Sequence, residues 1–175
     1  MKMTPIEEVD GAYLVNIKRF EDERGFFEEV YSSAMANHGF VPRQVNLSRS
    51  SRCVVRGMHV APFAKLAMCV RGRLWDVVAD VRPDSPTYLG WYGKWMTPED
   101  PVQLLAPAGC AHGFFAAEDE THLLYLQTDT YDPNVGGEVH WRDPQIAIDW
   151  PKADNYILSE KDRKAKFLDA APKEI

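Results

Sequence analysis

The stretch RGMHVAPFAKLAMCVRGRLWDVVADVR, from Arg56 to Arg82, consists of short apolar runs separated by turn residues. Its second half repeats with period two, which is the side-chain repeat of a β-strand. One face of this predicted strand is purely apolar and carries Trp75, Val77, Ala79 and Val81. The other face mixes aliphatic and charged residues, namely Leu74, Asp76, Val78, Asp80 and Arg82.

The two faces of this strand require different surroundings. The apolar face suits the core between two sheets or a contact between subunits. The mixed face fits either a solvated outer surface or the inner wall of a barrel that is wide enough for a polar ligand. The period alone leaves both interpretations open, and it favours the solvated surface.

Similar runs recur along most of the chain at intervals of about ten residues, which is typical of an all-β sandwich or barrel. The turns between them are Arg71-Gly72, Pro83–Pro86, Pro107–Gly109 and Pro133-Asn134. Two segments have helical patterns: SAMANHGF, which Gly39 ends, and SEKDRKAKFLDAA, with Ser159 as its N-cap and acidic residues in its first turn. We expect one all-β domain over residues 1–175 with a few short helices, one near the C-terminus.

Composition narrows the class of partner. The formal net charge is -6, from 26 acidic and 20 basic residues, which disfavours nucleic acid but allows a small phosphorylated ligand. No apolar run is long enough for a membrane-spanning helix, and acidic residues occupy the N-terminal stretch MKMTPIEEVDGAYL, so we expect a cytoplasmic protein without a membrane partner. Its three cysteines lack CxxC spacing and suit reduced thiols: Cys53, Cys69 and Cys110.

The polar residues favour acid–base chemistry over metal or nucleophilic catalysis. Five histidines are present, but Val60 and Ala61 follow His59, so the HxH pattern of metal-binding jelly rolls is missing and we expect no metal. No GxSxG motif marks a serine nucleophile. The groups that remain could move protons without a cofactor, and they are His59, Lys65, Tyr125, Tyr131 and Asp162.

The sequence resembles the dTDP-4-dehydrorhamnose 3,5-epimerase family of nucleotide-sugar epimerases. The resemblance runs from about Phe20 to Asp162, and its stretches keep the family's order: FEDERGFFEEVY, RQVNLSRS, VVRGMH, AKLAMCVRGRLWDVVADVRPDSPTYLGW, QLLAPAGCAHGFFA, YLQTDTYDP, WRDPQIAIDWP and ILSEKD. It implies a cupin-type β-jelly roll, a homodimer, and a site inside the barrel. With the site inside the barrel, the inner-wall interpretation of the mixed strand face becomes the favoured one.

The resemblance also implies roles for individual residues. His59 matches the proton-abstracting base, Asp162 its carboxylate partner, Tyr125 the proton donor on the other face of the sugar, and Lys65 the lysine near the sugar carbonyl. The matching substrate-binding positions are Arg24, Glu29, Gln44, Asn46, Arg56, His112, Tyr131 and Lys161. The implied reaction is proton exchange beside the C4 ketone of a nucleotide-linked 4-keto-6-deoxy sugar, dTDP-linked or else GDP-linked, with inversion at C3, at C5 or at both.

The chain departs from the family beside the catalytic base. Lys65 follows His59 by only six positions, which is a shorter loop than most members have. Glu138 is the nearest candidate for a glutamate that the family places after Tyr131. These differences keep other readings open: a 3-epimerase acting at one centre of an unusual sugar such as a heptose, a 3,4-ketoisomerase, or a non-catalytic cupin that binds nucleotide sugars.

Overall fold

The structure, a computed structural model, describes residues 2–169 and is built almost entirely of β-strands. The first strands are β1 (Lys2–Pro5), β2 (Tyr13–Asn16), β3 (Arg19–Asp22), β4 (Gly25–Glu28), β5 (Gln44–Ser50), β6 (Val55–Val60) and β7 (Lys65–Arg71). The later strands are β8 (Leu74–Ala79), β9 (Trp91–Met96), β10 (Val102–Ala106), β11 (Ala111–Ala116), β12 (Thr121–Gln127) and β13 (Gly137–Glu138). A 3₁₀ helix spans Ser33–His38, and one α-helix, α1, spans Glu160–Lys164.

Two antiparallel sheets face each other and form a jelly-roll barrel. One has the strand order β1-β2-β10-β7-β12-β5, and the other has the order β13-β6-β11-β8-β9. Side chains from both sheets meet in one apolar core, which includes Leu104 and Leu123 from the first sheet and Leu74 and Phe114 from the second. Strands β3 and β4 form a separate two-stranded ribbon. The all-β jelly roll expected from the sequence is therefore confirmed.

The mixed face of strand β8 points into the barrel, as the inner-wall interpretation predicts, but it packs in the apolar core and none of its residues lines the cavity between the sheets. Leu74 and Val78 belong to the core between the sheets, and Asp76 between them is fully buried. On the apolar face, Val77 and Ala79 pack in a second core with aromatic residues of the C-terminal segment, including Trp141. The apolar face is therefore covered by the chain's own C-terminal segment.

Asp80 corrects the expectation that the acidic residues of this stretch face a ligand cavity. Its buried carboxylate accepts hydrogen bonds from Arg82 Nη2 at 2.7 Å, from Thr87 Oγ1 at 2.6 Å and from the Ser85 hydroxyl. Asp80 therefore braces the turn after β8, because all hydrogen-bond partners of its carboxylate lie in the following seven residues.

The two helical segments are shorter or tighter than their patterns predict. The segment that Gly39 ends is a 3₁₀ helix, and Gly39 caps it with a φ of 77°. Near the C-terminus, Ser159 caps α1 as expected, but the helix ends at Lys164. The chain then forms a parallel bridge between Lys166 and Val139, so tertiary pairing ends the helix; the last two residues of the predicted helical stretch lie outside the described residues. No helix within residues 2–169 is long and apolar enough to cross a membrane.

Candidate active site

A cavity of about 610 Å³ opens between the two sheets. All four predicted catalytic residues line it: His59, Lys65, Tyr125 and Asp162. Four of the eight predicted binding residues line it as well: Arg56, His112, Tyr131 and Lys161. The barrel therefore brings together residues that are up to about a hundred positions apart in the sequence.

A β-bulge in β6 turns Arg56 and His59 towards the same cavity. In a regular strand, residues three positions apart point to opposite faces. Here His59 pairs with His112 and Arg56 pairs with Phe114, so β6 contains one residue more than β11 between these two pairs. Gly57 makes this possible: its φ is 133°, and a Cβ there would lie 2.7 Å from the Cα of Gly113.

His59 forms a hydrogen bond with Asp162 at one side of the cavity. The distance from His59 Nε2 to Asp162 Oδ1 is 2.7 Å. Asp162 lies in the first turn of α1, where its backbone N–H donates to the Oγ of the N-cap Ser159 at 3.1 Å. Burial is the largest single influence on the pKa of Asp162 and raises it, but the hydrogen bond and charge of His59 together with hydrogen bonds from Ser159 and Gly57 outweigh burial, and the net pKa is lowered. The carboxylate is therefore ionised and accepts a hydrogen bond from Nε2–H of His59, which leaves the Nδ1 lone pair available for a proton.

His112 forms a second pair, with Asp76, deeper in the same sheet. Its Nε2 lies 3.0 Å and 3.1 Å from the two carboxylate oxygens of Asp76. The side chain of His112 is 7% exposed and that of Asp76 is 0% exposed, so this pair is largely shielded from water. Its rigid position gives the cavity wall a fixed polar group.

Lys65 and Tyr125 come from the opposite sheet, on the neighbouring strands β7 and β12. Burial lowers the pKa of Lys65 to about 8, and the charge of Asp76 opposes part of this shift. Lys65 forms no salt bridge with any residue between 2 and 169. Burial also raises the pKa of Tyr125, although the charge of Arg56 works against it. Each group therefore has an unusual proton affinity for the same reason, which is loss of water.

Four predicted binding residues do not line the cavity of their own chain. Arg24 lies in the turn between β3 and β4 and donates to the Asp22 carboxylate, and Glu29 is exposed just after β4. Gln44 and Asn46 lie on β5, where their amides bond to each other at 2.7 Å.

Three residues at the site have contacts that the sequence does not predict, although Glu138 is a candidate by resemblance to the family. Asp76 was recognised on the mixed face of β8 but not as the partner of His112. Gln127 lines the cavity, and period two along β12 places it on the same wall as Tyr125, which was a readable signal. Glu138 also lines the cavity and bonds Lys161 at 3.0 Å between its Oε2 and Nζ, a contact between two distant segments that no local pattern reveals.

Comparison with known proteins identifies the family. Residues 7–170 match the profile of dTDP-4-dehydrorhamnose 3,5-epimerase. The chain belongs to this family. It is 39% identical over 172 residues to the dTDP-4-dehydrorhamnose 3,5-epimerase of Methanothermobacter thermautotrophicus, covering 94% of this chain and 93% of the relative.

Two solved structures with bound ligands are similar to this chain. A 3,5-epimerase from Legionella pneumophila in complex with dTDP-4-keto-L-rhamnose has a TM-score of 0.86 and 35% identity, over 95% of this chain and 92% of that one. A 3'-monoepimerase from Streptomyces bikiniensis in complex with dTDP-quinovose has a TM-score of 0.88 and 31% identity, over 94% and 87%. The family and the cupin-type fold expected from the sequence are therefore confirmed, as is the expectation of a carbohydrate epimerase.

Proposed function

We propose that this chain inverts C3 and C5 of a dTDP-linked 4-keto-6-deoxy sugar by proton transfer beside the C4 ketone. The observation that carries the proposal is that His59 and Tyr125 line one cavity from opposite sheets. A ketone acidifies the hydrogens on its neighbouring carbons. A base on one wall and an acid on the other can therefore remove a proton from one face and return one to the other.

His59 is the base in this proposal. Its Nε2–H is held by Asp162, which fixes the tautomer and leaves Nδ1 as the proton acceptor. When Nδ1 takes the substrate proton, the imidazole becomes positively charged. The ionised carboxylate at 2.7 Å then stabilises that charge, which raises the basicity of His59 without making Asp162 a reacting group.

Lys65 stabilises the oxyanion in this proposal. Removal of the proton turns the ketone into an enolate, and an ammonium group in a site shielded from water stabilises such an oxygen strongly. Lys65 is not neutralised by a salt bridge with any residue that the structure describes, so its charge is available to the ligand. A pKa of about 8 keeps it mainly protonated at neutral pH.

Tyr125 returns the proton. Because its pKa is raised by burial, the phenol stays protonated across the neutral range and can donate. Its strand, β12, faces the strand of His59 across the cavity, so the donated proton reaches the face that the base does not touch. A proton removed on one face and replaced on the other inverts the carbon.

The nucleotide part lies at the cationic and aromatic residues that line the cavity. Arg56 and Lys161 suit the diphosphate, because both carry charged N–H donors. Tyr131 suits stacking on the base, and His112 contacts the sugar end. The dTDP sugars bound in the two similar structures support a dTDP-linked ligand, and a GDP-linked sugar is the alternative to be compared with it.

The decisive measurement is proton NMR of the keto sugar in deuterium oxide. With dTDP-4-keto-6-deoxyglucose we expect deuterium at two carbons, C3 and C5, and inverted product. Exchange at one carbon only would correspond to a single-centre epimerase, and movement of the carbonyl to a ketoisomerase. Tight binding without any exchange would overturn the enzymatic proposal in favour of a binding cupin.

We also propose that the enzyme is a homodimer in which the partner supplies Arg24 and Glu29. Both residues belong to the β3–β4 region, outside the cavity of their own chain. The same ribbon exposes three aromatic side chains, with 50%, 57% and 67% of their surface accessible: Phe20, Phe26 and Phe27. Such an exposed apolar patch is typical of an interaction surface. A second copy that covers the ribbon would receive Arg24 and Glu29 at its own cavity.

Complementation tests the shared site. A His59→Asn protomer lacks the base, and an Arg24→Ala protomer cannot supply the arginine to the cavity of its partner. We expect co-expressed mixed dimers to recover activity at low substrate, because the protomer with intact His59 receives Arg24 from the other. If the mixed dimers are no more active than the separate variants, Arg24 serves its own chain and this arrangement is wrong.

We propose a cytoplasmic location as well. All three cysteines are free, which suits a reducing compartment. Burial raises the pKa of Cys69 and of Cys110 to about 12, so both thiols stay protonated and unreactive. Incubation with oxidised glutathione should therefore modify neither of these two residues, as mass spectrometry can check.

A further inference from the structure

A chain of side-chain amides joins the cavity wall to the segment that carries Tyr131. The backbone N–H of Tyr131 donates to Gln44 Oε1 at 2.8 Å, and Gln44 Nε2 donates to Asn46 Oδ1 at 2.7 Å. Asn46 Nδ2 donates to Gln127 Oε1 at 3.2 Å. Gln127 Nε2 then donates to the backbone carbonyl of Asp129 at 2.8 Å.

The direction of this chain is fixed by its two ends. One end is a backbone N–H, which can only donate, and the other is a backbone C=O, which can only accept. Each side-chain amide offers one oxygen and one NH₂ group, so the three amides between these ends satisfy both of them in a single orientation. Both ends belong to residues 129–131. The chain therefore fastens this short segment to β5 and β12.

Gln127 is the member of the chain that reaches the cavity. It lines the cavity, is 2% exposed, and lies two positions after Tyr125 on the same strand face. Tyr131, at the other end, also lines the cavity but is 62% exposed. A side chain that is so exposed has little packing of its own to hold it, so its position depends on its backbone anchor.

We infer that Gln127 is a positioning residue that holds Tyr131 against the nucleotide, both through the Asp129 carbonyl and through Asn46 and Gln44. The inference rests on the proposed function, since it takes Tyr131 as the residue that contacts the nucleotide. Gln127 acts at a distance from that contact by two routes. It donates to the carbonyl of Asp129, two residues before Tyr131. It also orients Asn46, which orients Gln44, which accepts the Tyr131 N–H. Gln44 and Asn46 thereby influence ligand binding although they do not line the cavity.

Gln127→Glu tests the amide chain without any ligand. The substitution keeps the shape of the side chain, and Asn46 can still donate to it, but an oxygen replaces the NH₂ group that bonded the Asp129 carbonyl. Two acceptors then face each other and push residues 129–131 away. We expect the Tyr131 backbone amide to exchange with solvent about tenfold faster or more, measured by NMR. An unchanged exchange rate at Tyr131 overturns the inference.

Binding of dTDP tests whether Gln127 acts through Tyr131. We expect Gln127→Glu to raise the Kd for dTDP about tenfold, and to raise KM while kcat changes by less than about twofold. In a Tyr131→Ala background the same substitution should weaken binding by less than about twofold, because its route is already cut. A tenfold loss in both backgrounds means that Gln127 contacts the ligand directly, and the positioning role is then wrong.

Gln145→Glu is the matched control. Its Nε2 also donates to a backbone carbonyl, that of Leu168 at 2.9 Å, but Gln145 does not line the cavity. It should lose the same kind of hydrogen bond and keep a normal Kd for dTDP. If Gln127→Glu fails to fold by circular dichroism, Gln127→Met removes the bonds without adding a charge and is judged by the same two readouts. A wild-type protein that does not bind dTDP would contradict the proposed function, and Tyr131 exchange would still decide the amide chain.

Discussion

Two histidine–carboxylate pairs lie in the same barrel and differ mainly in their access to the cavity. The side chain of His59 is 40% exposed and bonds Asp162 at 2.7 Å, whereas that of His112 is 7% exposed and bonds Asp76 at 3.0 Å. The first pair joins a strand to the distant helix α1, and the second joins the adjacent strands β11 and β8. The same two functional groups, an imidazole and a carboxylate, therefore meet once at the open side of the cavity and once inside a sheet.

The two pairs suit different roles, one in the chemical step and the other in keeping the site in a fixed arrangement. A base must reach its substrate and must change its charge during the reaction, and the exposed His59 can do both. A buried pair pays a high desolvation cost if its charge changes or if one partner is removed, so it is suited to keeping a fixed arrangement. We therefore expect changes to His59 and Asp162 to affect the chemical step. Changes to His112 and Asp76 should affect the stability of the fold and the electrostatic potential at Lys65.

The largest expected effect is that of His59→Asn. Without the imidazole no group accepts the substrate proton, and general-base catalysis is typically worth about 10²- to 10⁴-fold. We expect deuterium incorporation into the keto sugar to fall by about 10³-fold or more, followed by NMR in deuterium oxide. The matched variant is His112→Asn, for which incorporation should fall much less. Equal losses in both variants would contradict the division between the two pairs.

Tyr125→Phe should separate proton removal from inversion. His59 is intact in this variant, so the substrate proton still exchanges, but the phenol that returns a proton to the other face is missing. We expect inversion to slow by about 10²-fold while exchange at the same carbon continues. The ratio of deuterated starting sugar to inverted product measures this. Inversion at the wild-type rate would mean that another group on that wall is the donor.

Asp162→Asn should weaken catalysis by about 10- to 10²-fold, since the amide no longer stabilises the imidazolium or enforces the Nε2–H tautomer. The loss should appear in kcat, with KM nearly unchanged, in steady-state assays. Ser159→Ala provides a comparison, because it removes the cap of α1 while leaving the carboxylate. A KM effect as large as the kcat effect would indicate that Asp162 binds substrate instead.

Much of this arrangement was readable from the sequence, because it depends on local repeats. Period two in β8 separated a mixed face from an apolar one, and the two faces are an inner wall and a covered outer face. The Ser159 cap of α1 was equally local. The resemblance to the family then selected His59, Lys65 and Tyr125, which do line one cavity.

What could not be predicted depends on contacts between distant segments. The bulge that turns Arg56 towards the cavity is set by the close approach of Gly57 to Gly113 on another strand, and a single-strand pattern cannot show it. The end of α1 at Lys164 is set by the bridge between Lys166 and Val139. A single domain over residues 1–175 stays a prediction.

Lys65→Met should make the protein more stable and less active. Burial lowers the pKa of Lys65 from 10.5 to about 8, so below pH 8 the folded state carries a charge that it disfavours. Removing that charge should raise the free energy of unfolding by roughly 2 kcal/mol at pH 7. Since the folded pKa lies below the unfolded one, the gain should be largest below about pH 8 and shrink as the pH rises towards 10.5. Urea unfolding of both proteins at pH 7 and pH 10 measures this, and a gain that does not depend on pH would show that packing, not charge, is responsible.

The smallest expected effect is that of Asp76→Asn, in which the buried pair influences catalysis through the pKa of Lys65. The charge of Asp76 raises the pKa of Lys65 and so opposes the effect of burial. Asp76→Asn removes that charge but keeps the shape, so the ammonium of Lys65 should lose its proton at a lower pH. We expect the alkaline limb of kcat/KM to move down by less than about one pH unit, while Asp162→Asn leaves that limb in place. Such a shift would mean that the buried pair tunes the electrostatics of a reaction in which it takes no direct part, whereas an unmoved limb would restrict His112 and Asp76 to a structural role.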